Sequence, residues 1–82
     1  MRLPRDLTGA QLIQALRKLG YQATRQSGSH VRLTRRGAAD HHLTVPLHDP
    51  LRVGTLAAIL DDVARANELS RDEVLARLFG QS

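Results

Sequence analysis

The apolar positions along this chain change period twice, from helical spacing to alternation and back, and each change marks a new kind of element. From Thr8 to Gly20 the residues Leu12, Ile13, Leu16 and Leu19 recur at helical spacing and predict one amphipathic helix. Thr8-x-x-Gln11 fits a capping box at its start, and Gly20 supplies the left-handed stop. Arg17 and Lys18 fall in the last turn, where cations complement the helix dipole. The period then drops to two. Tyr21 to Gln26 alternates weakly and predicts a first strand, Ser29 to Arg35 a second, and His41 to Val45 a third that is closed by Pro46. Ser27-Gly28 reads as the hairpin turn, with Gly28 free to take a positive φ. Residues 36–40 form the next loop.

Helical spacing returns after a connector over residues 47–53, in which Asp49-Pro50 is expected to cap a single turn. Leu56, Ile59, Leu60 and Val63 predict a second helix from about Gly54-Thr55 to Arg65. Ser70-x-x-Glu73 is another capping box, opening a third helix that carries Val74, Leu75, Leu78 and Phe79 on one side and ends at Gly80. The predicted order is α-β-β-β-α with an added C-terminal helix, an α+β fold on a three-stranded antiparallel meander. Helices cover one sheet face and the other stays wet, as strand alternation implies. Residues 1–82 are expected to form a single domain, with a core at about 8–65 and the last helix at about 70–79.

Composition narrows the function classes. The chain has 82 residues, 41% of them hydrophobic and 24% charged, the balance of a globular domain rather than a disordered segment. No apolar run nears the length of a membrane span and no signal-peptide core follows Met1, so no membrane partner and a cytoplasmic location are expected. There is no cysteine, hence no disulfide or thiolate metal site. The net charge of +4 suggests an anionic partner. Of the 12 basic residues only Lys18 is a lysine, and arginine's planar fork suits phosphate. Tyr21 and Phe79 are the two aromatic residues, too few for a base-stacking platform.

The candidate chemistry centres on Ser27-Gly28-Ser29-His30. Strand parity turns Val31 and Leu33 into the core and puts His30, Arg32 and Thr34 on the open face. An imidazole can take or give a proton near neutral pH. Beside arginines it suits activation of a ribose 2′-hydroxyl against the adjacent phosphate, with Arg25 or Arg32 stabilising the charge that develops. Ser29 and His42 are further candidate RNA contacts, His42 also as a partner acid, and Lys18 is a candidate from the end of the first helix. The plainer readings are a surface histidine, a strand-entry His41-His42 pair and a dipole-complementing Lys18. His30, His41, His42 and His48 match no zinc spacing, and parity separates His41 from His42, so no metal and no cofactor are expected. Gly54-Thr55 at a helix start reads as a cap ahead of a phosphate site. The carboxylates Asp61, Asp62, Glu68, Asp72 and Glu73 read as solvated helix faces.

Four segments together resemble a known family. They are Leu12-Ile13-x-x-Leu16-x-x-x-Gly20-Tyr21, Arg25-Gln26-Ser27-Gly28-Ser29-His30, Val45-Pro46-Leu47-His48 and Gly54-Thr55-Leu56-x-x-Ile59-Leu60. In this order, over about residues 8–65, they resemble the HicA (YcfA-like) toxins. The resemblance implies a fold like the double-stranded-RNA-binding domain and a metal-independent mRNA interferase activity. It also implies mRNA as substrate and a HicB-type antitoxin that covers the active face, the toxin being a monomer alone and a hetero-oligomer with the antitoxin. The family's essential histidine falls on His30. Leu33 stands where many relatives carry an aromatic residue, and the lysine cluster of true double-stranded-RNA-binding domains is absent, with only Arg52 nearby. Two other readings remain: a non-catalytic RNA-binding module or inactive homologue on the same fold, and a protein-binding module.

Overall fold

In a computed structural model the described residues are 2–80. Helix α1 (Gly9–Leu16) runs into a 3-10 turn (Arg17–Leu19), followed by strands β1 (Tyr21–Ser27), β2 (His30–Arg35) and β3 (His41–Pro46) and helices α2 (Val53–Ala66) and α3 (Arg71–Phe79). The strands form one antiparallel sheet in the order β1-β2-β3. This is the expected α+β arrangement, consistent with a double-stranded-RNA-binding-domain-like fold.

Both predicted capping boxes form. Thr8 Oγ1 accepts from the Gln11 amide while Gln11 Oε1 accepts from the Thr8 amide. Ser70 and Glu73 repeat the exchange at α3. Gly20 takes φ 90° and ends the first helical segment. The core lies between the sheet and the helices. Leu12 and Leu16 of α1, Leu56, Leu60 and Val63 of α2, and Val74, Leu75 and Leu78 of α3 bury against Tyr21, Val31, Leu33, Leu43 and Val45 of the sheet. Ile13, Leu19 and Phe79 pack at its edge.

Four local expectations need correction. Helix α2 begins at Val53, with Arg52 as an N-cap that makes no side-chain cap bond, so Gly54-Thr55 lies inside the first turn and does not cap it. Asp49-Pro50 is a bend with a cis peptide bond and caps no helical turn. The hairpin turn is Gly28-Ser29, because Ser27 pairs with His30, so Ser29 belongs to the turn and not to the strand. Thr34 lies on the open face, but its neighbours leave it only 4% exposed.

The end of the sheet that carries His30 is held by backbone bonds. Leu47 donates to Ser29 O (2.6 Å), Gly9 to His48 O (2.9 Å) and Leu51 to Leu7 O (2.8 Å). Gly9 is required there by close approach: a Cβ at that position would stand 2.0 Å from Pro46 O.

Candidate active face

The open sheet face is built from β2 outward. Val31 and Leu33 point into the core, so His30 and Arg32 project to solvent. Gly28 begins the turn ahead of His30 at φ 57°, a conformation that glycine adopts without steric cost. Gln26 Nε2 donates to Gly28 O and closes the turn (3.1 Å). Ser27 on β1 and Pro46 on β3 flank His30 across the sheet.

The next rung depends on an irregularity. Ala23 pairs with Leu33, but Arg25 pairs with Arg32, so Thr24 is an extra residue in β1. Such a bulge reverses the parity of everything beyond it. Without it Arg25 would share a face with Tyr21 and Ala23 and point at the core. With it, Arg25 stands opposite Arg32 on the open face. Among the described residues neither guanidinium has an acidic partner within 4.0 Å. Like charges directly opposite one another cost stability.

A third rung follows at Thr34, paired with Gln22 and His42. Thr34 Oγ1 lies 2.9 Å from Thr24 Oγ1 and 2.9 Å from His42 Nδ1, which accounts for its burial. His42 is therefore tethered four residues along β3 from the partner of His30, about 13 Å at strand spacing. That separation is too large for His30 and His42 to share one phosphodiester as acid and base. Lys18 is not brought to this face: its ammonium donates to Leu78 O at the end of α3 (2.9 Å). His30, Arg25, Arg32, Ser29 and Gly28 do converge, with His42 two rungs away.

The inward face at the end of the sheet far from His30 carries a polar cluster that the alternation did not reveal. Tyr21, Arg35 and His41 are cross-strand partners, each facing the helices. The Tyr21 hydroxyl lies 2.6 Å from His41 Nδ1 and accepts from Asn67 Nδ2 (3.0 Å). Arg35 donates to Asn67 Oδ1, to Ala66 O and to Ala39 O. His41 Nε2 is 3.3 Å from Asp62 Oδ1. Burial pushes the Tyr21 phenol above its usual pKa, although its bond from Asn67 pulls the other way. No sequence motif marks these residues; only their shared register brings them together. His41 thus faces inward and His42 outward. Of the three sheet histidines, His30 alone has neither ring nitrogen tied to the protein among the described residues.

A three-stranded sheet with helices on one face and an uncovered histidine–arginine face on the other defines an α+β domain suited to an anionic partner. The chain belongs to the HicA family: the family model described as the HicA toxin of bacterial toxin–antitoxin systems matches residues 9–64. It is therefore a toxin of a toxin–antitoxin system, with an antitoxin as its partner. No curated protein matches the chain, and no solved structure does.

Proposed function

We propose that this toxin is an mRNA interferase, an endoribonuclease that cleaves RNA without a metal, and that a HicB-type antitoxin neutralises it by covering the open sheet face. In this reading His30 moves the proton at the reacting phosphate. As general base it takes the proton of a ribose 2′-hydroxyl; the O2′–P bond forms and the P–O5′ bond breaks. The leaving O5′ takes up a proton, and the products carry a 2′,3′-cyclic phosphate and a 5′-hydroxyl. As general acid, His30 would instead supply that last proton. The nucleophile is part of the substrate, so positioning and charge stabilisation are the protein's main tasks. Arg25 and Arg32 supply the charge on the rung beside His30.

One observation carries the reading: His30 is exposed, has no side-chain partner among the described residues, and stands next to two guanidiniums that have no acidic partner among them. The test is cleavage of a defined RNA by the purified protein, with both new ends analysed. His30→Ala should slow cleavage by about 10²–10⁴ and still fold. Products with 5′-phosphates, or cleavage lost in EDTA, would count against this chemistry.

A non-catalytic RNA-binding module is the second reading. The observation that favours it is the tethering of His42 two rungs from His30, which takes that imidazole away from the reacting phosphate. It predicts that His30→Ala binds RNA and affects cells as the wild type does.

A further inference from the structure

Three rungs line the open face at alternate β2 positions: Ser27–His30, Arg25–Arg32 and Gln22–Thr34–His42. The first and third are about 13 Å apart, a span of roughly two nucleotides in an extended single strand. The guanidinium pair lies midway. A phosphate at each rung would meet an imidazole, then two arginines, then a second imidazole.

The third rung is built. Thr34 is nine-tenths buried on the solvent side of the sheet because Thr24 and His42 close over its hydroxyl. Thr24 Oγ1 also donates to Arg32 O (3.4 Å), and a carbonyl can only accept. With one proton on each hydroxyl, the run is ordered from His42 Nδ1–H to Thr34, from Thr34 to Thr24, and from Thr24 to the backbone. Nδ1 is thereby engaged, and Nε2 of this exposed residue has no partner among the described residues. The same extra residue, Thr24, turns Arg25 outward and terminates this hydroxyl run. One bulge therefore organises both rungs beyond His30.

Resting on the ribonuclease reading, we infer that the open face is a track for an extended single-stranded RNA in which His42 holds a phosphate about two linkages from the one at His30. As imidazolium, His42 donates Nε2–H to a phosphate oxygen, a charge-assisted bond. Thr34 and Thr24 are positioning residues that fix the ring. Alternate side chains of one strand match successive phosphates of one polynucleotide, whereas a duplex would need cations set a groove apart.

The test uses His30→Ala protein, so that RNA stays intact, titrated with unstructured RNAs of two and five nucleotides by ¹⁵N NMR. Lengthening the RNA should tighten binding about tenfold, the worth of one or two charge-assisted bonds, and should shift the His42 ring resonances only with the longer RNA. Adding His42→Ala should abolish most of that gain and leave dinucleotide affinity unchanged. Thr34→Val should reduce the gain and Thr34→Ser should restore it. Equal affinity at both lengths, a gain that survives His42→Ala, or tighter binding of a duplex than of the single strand would overturn the track. These outcomes would leave His30-dependent cleavage standing. Loss of the cleavage chemistry in the earlier test would not remove the length dependence.

Discussion

Arg25 stands directly opposite Arg32 on the open sheet face, although simple alternation from the buried Tyr21 would have sent it into the core. The pair is held by a one-residue bulge at Thr24 and is left without acidic partners among the described residues. Two facing guanidiniums that serve only the fold should be selected against on electrostatic grounds. If they serve an anion instead, removing either should strengthen the fold and weaken binding. Arg25→Gln and Arg32→Gln should each raise unfolding free energy by roughly a few tenths of a kcal/mol. Each should also flatten the salt dependence of RNA binding by about one counterion. Thermal denaturation and RNA titration over a range of salt concentrations read the two effects separately. A lower melting temperature with an unchanged salt slope would argue that the pair is structural.

Gly9 packs against the strand end that carries the partner of His30. A methyl group there has no room beside Pro46 O, and the Gly9 N–H to His48 O bond would have to move with it. Gly9→Ala should cost about 1–3 kcal/mol, measured by urea unfolding. Gly54→Ala, where a Cβ would meet nothing within 4 Å, should cost none of this and serves as the control.

Tyr21→Phe deletes the hydroxyl that joins His41 to Asn67 and keeps the ring in the core. His41 Nδ1 would lose its partner in a half-buried site, and Asn67 Nδ2 would keep only its bond to Val63 O (2.7 Å), a loss of about 1–3 kcal/mol. His30 lies at the other end of the strands, so cleavage per folded molecule should be unchanged. Comparing activity with the folded fraction from circular dichroism checks both halves of this expectation.

The pH dependence of stability has identifiable sources. The Ser70 backbone amide and hydroxyl hold the Glu73 carboxyl below its usual range, and the paired Arg71 guanidinium holds Asp61 down in the same way. A carboxyl with a depressed native pKa binds protons more readily in the unfolded chain. Its contribution is therefore complete above the ordinary carboxylate range and is lost as pH falls through it. Melting temperature should decline on acidification, and Glu73→Gln should decline less steeply. Parallel curves for wild type and Glu73→Gln would remove Glu73 from this account.

Much of the molecule was legible without coordinates because much of it is specified locally. The helices announced themselves through the spacing of Leu12 and Leu16, of Leu56, Ile59, Leu60 and Val63, and of Val74, Leu75 and Leu78. Thr8 and Ser70 capped them through residues three positions away. Val31 and Leu33 set the faces of β2, and His30 followed by parity. A helix cap or a strand face needs only neighbours within one or two turns of chain, so the residues themselves determine it.

The start of α2 at Val53, where no side-chain bond caps the helix, and the turn at Gly28-Ser29 went against local expectation by one or two residues. The outward turn of Arg25, the burial of Thr34, the tether on His42 and the Tyr21–His41–Asn67–Arg35 cluster needed the tertiary structure. Each depends on which residue of one strand lies beside which residue of another, and on where α2 crosses the sheet. The run from Gln22 to Ser27 has only Ala23 as an apolar residue, too weak an alternation to fix its register, so nothing in its own sequence marks Thr24 as the extra residue. Pairing with β2 decides that, because Val31 and Leu33 must stay buried and β1 has to fit itself to them.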